Sequence, residues 1–215
     1  MGLLLVDLDN TLIDRDAAFR HAVALFLAEH GLPAGDVAWV MEADGGGYTA
    51  EDVVAAALAD RYGNAVPPAA VGALVDGGGA EHARLTDATE TALIAARRAG
   101  WRCVVVSNGG TAQQEAKIRG TGLDRLVDGW VISEAVGHKK PAAEIFEHAA
   151  ALAGLPLAGA WIVGDSPHKD ILAAVALGLR SVWVSGGRAW GEHEFRPTHV
   201  TADVAGAIDH VVRNG

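Results

Sequence analysis

The sequence predicts an α/β fold: a Rossmann-like parallel sheet flanked by helices, with a small all-helical subdomain inserted near its start. Three observations predict it. Short continuous apolar runs recur at Leu3 to Val6, Cys103 to Val106, Trp130 to Ile132, Trp161 to Val163 and Val182 to Val184, and runs of this length bounded by turn residues are buried strands. Helical patterns lie between them, and strands that alternate with helices need crossover connections, which produce a parallel sheet covered on both faces. Residues 15–85 break that rhythm with several helical stretches in succession and no convincing strand.

Taken in order, the run from Leu3 to Val6 is the first strand. Asp14 or Asp16 opens a helix carrying Phe19, Val23, Phe26 and Leu27 on one face, which Gly31 and Pro33 end. Thr49 with Asp52 has the spacing of a capping box for a helix running to about Tyr62, and Pro67-Pro68 starts another. The runs Gly45-Gly46-Gly47 and Gly77-Gly78-Gly79 are mobile joints, the first a loop tip and the second a hinge back to the core. Thr86 or Asp87 caps a helix ending before Gly100; Thr111 opens one ending near Gly120; Ala142 to Ala153 and Asp170 to Leu177 form two more. The expected division is a core of residues 1–14 and 86–215 with a helical insertion at 15–85.

A chain of 215 residues can bury a core of its own. Half of the residues are hydrophobic while only two are Tyr and four Phe, so an aliphatic core is expected. Seventeen basic against twenty-seven acidic residues give a formal charge of −10, which argues against binding nucleic acid or an anionic membrane but leaves small anionic substrates open. Cys103 is the lone cysteine and lies in an apolar run, so it reads as a buried small hydrophobe. The amino terminus lacks a basic leader and no apolar run reaches membrane-spanning length, so a soluble cytoplasmic protein is expected, as a monomer or homodimer. No Gly-x-Gly-x-x-Gly follows the first strand, which excludes a nucleotide-cofactor oxidoreductase.

The chemistry-bearing residues follow predicted strands. Asp7-Leu8-Asp9-Asn10-Thr11-Leu12 comes directly after the first. Two carboxylates two positions apart on an extended segment project to one side, and such crowding of like charge is relieved by a hard divalent cation. Ser107-Asn108-Gly109 follows the second strand and offers a hydroxyl and backbone donors for phosphoryl oxygens. Gly137-His138-Lys139-Lys140-Pro141 precedes a helix, and Gly164-Asp165-Ser166-Pro167-His168-Lys169-Asp170 follows the strand ending at Val163.

These four segments, in this order, resemble the signatures of the haloacid dehalogenase-like superfamily over residues 1–14 and about 86–200, in its phosphatase branch with a helical cap after the first core strand. The resemblance implies a phosphatase that hydrolyses a small phosphorylated metabolite with magnesium. Asp7 is then the nucleophile that forms an aspartyl-phosphate, Asp9 the acid and base, and Lys140 the charge-balancing lysine. Ser107, Asn108 and Gly109 hold the phosphoryl group. Asp7, Asp165 and the main-chain carbonyl of Asp9 hold magnesium, with Asp170 an auxiliary ligand. The insertion corresponds to the cap that closes over the site and selects the substrate. Arg15, Arg20, Trp39, Glu42 and Tyr48 are conceivable contacts there, with Trp39 read as core and the charged groups as solvated faces. His138 and His168 flank the third and fourth segments, and Arg188 and Trp190 are read as packing over the sheet edge. A phosphomutase and a 2-haloacid dehalogenase share the fold, and a non-catalytic binding module is a third alternative. Asp9 weighs against the dehalogenase, since displacing halide from carbon needs no acid for the leaving group.

Overall fold

Leu3, Leu4, Leu5 and Val6 are all buried, because both faces of the strand they form are covered by helices, as a continuous apolar run requires. A computed structural model of the chain describes residues 2–215. In chain order the elements are β1 (Gly2–Val6), α1 (Arg15–Glu29), α2 (Val37–Asp44), α3 (Glu51–Tyr62), α4 (Pro68–Gly77), α5 (Asp87–Arg98), β2 (Trp101–Ser107) and α6 (Thr111–Gly120). They continue with β3 (Gly129–Ile132), α7 (Ser133–Val136), α8 (Ala143–Ala153), β4 (Trp161–Gly164), α9 (Leu172–Ala176), β5 (Arg180–Val184), β6 (His199–Thr201) and α10 (Val204–Asn214).

The described residues form two compact units, one running from β1 to Ile13 and from Leu85 to Gly215, the other Asp14–Arg84. The first break falls one residue before the position set by the sequence. Asp14 belongs to the helix that follows, since its carboxylate accepts from Ala17 N at 2.9 Å as the cap of α1.

In the first unit the sheet order is β3-β2-β1-β4-β5-β6, every pair parallel. Leu3, Leu5, Val104, Val106, Val131 and Ile162 pack with Ile145, Phe146 and Ala149 of α8 and Ala173 and Ala174 of α9. Helices α5 and α10 lie against each other and on the strands of the other face, toward which Leu4, Val6, Cys103 and Val105 alternate. Each buried Leu or Val contributes roughly 1.5–3 kcal/mol relative to exposure. The core is not aliphatic alone: Trp161, Trp183 and Trp101 are buried in it, residues left out when Tyr and Phe alone set the expectation. Connections run outward from β1 in both directions, so the order reverses between β1 and β4. In open sheets of this kind the crevice beyond the strand ends at that point is where ligands bind.

The second unit has its own core of Phe19, Val23, Phe26, Leu27, Val40, Val54, Leu58, Val71, Leu74 and Val75. Three expectations need correction here. Helix α3 begins after Ala50 with no side-chain cap, because Thr49 N donates to Asp44 O and so belongs to the preceding turn. Gly79 is not a loose joint: at φ +74° it lies so close to α1 that a Cβ would come within 2.7 Å of the Ala18 carbonyl carbon. Arg15 is no solvated residue but is buried, donating from Nη2 to Asp44 Oδ1 at 2.6 Å and from Nη1 to Oδ2. Among the described residues, no helix is long and apolar enough to cross a membrane.

Candidate active site

The carboxyl ends of β1 and β4 bring the first and fourth segments together. Asp7 N donates to Val163 O at 2.9 Å, so the first acid is fixed to the strand that delivers Asp165. After it the chain turns at Asn10, which takes φ +58°, a left-handed conformation that Asn tolerates better than most side chains. The turn returns Thr11, whose hydroxyl donates to Asp7 Oδ2 at 3.2 Å.

Beyond β4 the chain passes through one π-helical turn, Pro167–Ile171, before α9, where a regular helix from Asp170 was expected. Ser166 caps the turn by accepting from Lys169 N, and the wider turn aims Asp170 back at the strand end. Gly164 makes room for it, since a Cβ there would stand 2.3 Å from the Asp170 carboxyl carbon.

Lys140 is buried between these acids. Its Nζ donates to Asp7 Oδ1 at 2.6 Å and to Asp170 Oδ1 at 2.7 Å. Burial works against its charge, yet Asp170 and Asp7 together hold the ammonium above the usual lysine range. Lys139 beside it is exposed. Burial pushes the Asp7 carboxyl up to about 6 against the pull of Lys140. Burial and the neighbouring Asp7 and Asp170 push Asp165 up to about 7.

Carboxylate oxygens of Asp7, Asp165 and Asp170 all lie within 4.8 Å of one another. Three buried hard-oxygen donors, two of them poorly able to bear their charge unaided, fit a magnesium ion, which takes carboxylate and water ligands. Both Asp170 oxygens are engaged, by Lys140 and by Ser166 N, as both Asp7 oxygens are by Lys140 and Thr11, whereas among the described residues Asp165 accepts at Oδ2 alone, from Arg188. The Asp9 carboxylate is not in this cluster. It accepts from Lys117 Nζ and Gln114 Nε2 of α6.

Of the three residues expected to hold a phosphoryl group, Ser107 is buried and its hydroxyl accepts from Gln114 Nε2 at 2.9 Å, keeping its own proton to donate. Asn108 spends its amide on Lys140, and Gly109 N donates to Ser133 Oγ at 3.0 Å. Arg188 does more than cover the sheet edge: its Nη2 donates to Asp165 O at 2.9 Å and Oδ2 at 3.1 Å. Trp190 packs edge-on against Trp183, whose Nε1 donates to Asp165 O at 2.7 Å. The exposed His168 pairs with Glu192, and His138 stands beside His148. Gln114, Lys117 and Arg188 were not foreseen as site residues. The one signal in the sequence was polar residues three positions apart on the helix after Ser-Asn-Gly.

A family model described as haloacid dehalogenase-like hydrolase matches residues 1–178. Pyrimidine 5'-nucleotidase YjjG of Escherichia coli is 36% identical over 94 residues, 43% of this chain and 42% of that one. Phosphoserine phosphatase of Thermus thermophilus is 37% identical over 98 residues, 46% of this chain and 39% of that one. The matched segment thus spans about two fifths of each of these two relatives. A crystal structure of the HAD-hydrolase YfnB from Bacillus subtilis, bound to magnesium, superposes with a TM-score of 0.80 at 23% identity, covering 98% of both chains.

Proposed function

Because the chain belongs to the haloacid dehalogenase-like hydrolases, we propose that it is a magnesium-dependent phosphatase acting on a small phosphorylated metabolite, with Asp7 as the nucleophile. The observation that carries this reading is the Asp7 carboxylate at the β1/β4 reversal, neutralised by Lys140 at 2.6 Å and grouped with Asp165 and Asp170. A buried carboxylate held by a fixed ammonium is oriented for attack. Similarity to a nucleotidase and a phosphoserine phosphatase supports a small phosphate monoester as substrate.

In the first half-reaction an Asp7 oxygen bonds to phosphorus, and the bond from phosphorus to the leaving oxygen breaks. The electron pair stays on that oxygen, which takes a proton from Asp9. In the second half Asp9 removes a proton from water, whose oxygen bonds to phosphorus as the bond from phosphorus to the Asp7 oxygen breaks. Inorganic phosphate leaves and the Asp7 carboxylate is restored. Lys140 and the Ser107 hydroxyl hold phosphoryl oxygens, and Asn108 acts by fixing Lys140. Asp7, Asp165 and Asp170 would hold a magnesium ion, which would supply positive charge against the phosphoryl oxygens. Substrate selection is assigned to the helical unit.

A panel of sugar phosphates, nucleoside monophosphates, phosphoserine and phosphoglycolate, assayed for phosphate release with magnesium or a chelator, tests this. Release that depends on magnesium is expected. Turnover of 2-chloroacids with silence on every phosphate ester would replace the phosphatase by a dehalogenase.

A further inference from the structure

Helix α6 holds the Asp9 carboxylate. Lys117 Nζ donates to Oδ1 at 2.8 Å and to Oδ2 at 2.9 Å, with a longer bond to Gln113 Oε1 at 3.4 Å. Gln114 Nε2 donates to the same Oδ2 at 2.8 Å. The two donors are three positions apart and so share one helix face.

Both residues are polar groups buried only in company with partners at the site. Lys117 is 1% exposed, and an ammonium is rarely buried so deeply unless paired. Gln114 is equally buried, and its amide nitrogen also donates to Ser107 Oγ at 2.9 Å and Asn108 O at 3.0 Å. Its Oε1 is buried without a hydrogen-bond partner among the described residues, an arrangement that costs stability. What the pair provides is orientation. Two side chains of one helix fix the carboxylate after β1 and the hydroxyl of the last residue of β2.

Resting on the phosphatase reading above, we infer that Lys117 and Gln114 are positioning residues that act through Asp9 and the Ser107 hydroxyl, aligning the proton donor with the leaving oxygen. An alkyl ester leaves as an alkoxide and needs the Asp9 proton as its bond to phosphorus breaks. A dinitrophenyl ester leaves as a stabilised phenolate and needs it far less. Damage to the holder of Asp9 therefore falls on alkyl esters.

Steady-state kinetics of Lys117→Met and Lys117→Arg with magnesium, on an alkyl phosphate and on dinitrophenyl phosphate, test this. Lys117→Met is expected to lower kcat on the alkyl ester by about 10- to 100-fold with KM within roughly threefold. Its loss on the dinitrophenyl ester should be several-fold smaller. Lys117→Arg should recover most of the loss, and Lys117→Met should add nothing in an Asp9→Asn background. Should Lys117→Met fail to fold by circular dichroism, Lys117→Gln carries the same comparison. Equal losses on both esters from a folded variant, or losses additive with Asp9→Asn, would overturn the inference while leaving the phosphatase intact. Wild-type protein silent on both esters would overturn the phosphatase reading, and the inference with it.

Discussion

Asn108 grips the backbone of Lys140 in both directions: its Oδ1 accepts from Lys140 N at 2.8 Å, and its Nδ2 donates to Lys140 O at 3.0 Å. The turn after β2 thereby fixes the residue whose ammonium meets Asp7 and Asp170. Asn108→Ala should destabilise the protein by about 1–3 kcal/mol for two lost bonds and lower kcat more than it raises KM. Denaturant melts and steady-state kinetics check this. Unchanged kcat would mean that Lys140 keeps its place without the clamp.

Stability should depend on pH in a direction set by the acids. Asp7 and Asp165 have carboxyls pushed up from 3.8 to about 6 and about 7, so between those values the folded state holds protons that the unfolded chain has released. Without metal, the stability these two acids contribute is therefore greatest below the unfolded value, falls as pH rises through about 4 to 7, and is flat above. Magnesium favours the ionised carboxylates and should flatten the fall. Thermal melts at pH 5 and 8, in chelator and in magnesium, measure both effects. A melting temperature that rises with pH in chelator would contradict the assignment.

Gly164 has no room for a side chain. Gly164→Ala would press its Cβ on Asp170 and should cost about 1–3 kcal/mol by overpacking. Displacing Asp170 should also weaken magnesium binding, read by titration calorimetry. An alanine variant with wild-type stability and affinity would show that Asp170 shifts freely.

Cys103 is buried in β2, and burial, with Asp128 nearby, pushes its thiol up to about 12. The thiolate is the reactive form, so the native protein should resist alkylation at pH 8 and label only when unfolded. Rapid labelling of folded protein would show that β2 opens locally.

Buried parallel strands are legible because both faces are covered, so Leu3 to Val6 and Trp161 to Val163 read as apolar runs without any partner in view. β6 gave no such signal: His199-Val200-Thr201 is three residues long with Val200 exposed. Asp7, Ser107, Lys140 and Asp165 could be named because the segments that carry them, at strand ends or before a helix start, resemble the family's signatures in the same order. Lys117 and Gln114 could not, since they meet Asp9 across separations of 108 and 105 residues. A polar face on a helix is ordinarily solvated, and only the packing of α6 shows otherwise. Arg188 was hidden likewise, in a loop whose partner lies 23 residues earlier.

In the proposed mechanism Asp7 carries the phosphoryl group between the two half-reactions. A single-turnover quench with a phosphate ester labelled at phosphorus, followed by peptide mapping, tests it directly. Transient label is expected on the peptide containing Asp7 in the wild type and none in Asp7→Asn. Phosphate released by the wild type with no label on that peptide at any time point would mean direct attack by water, and Asp7 would not be the nucleophile.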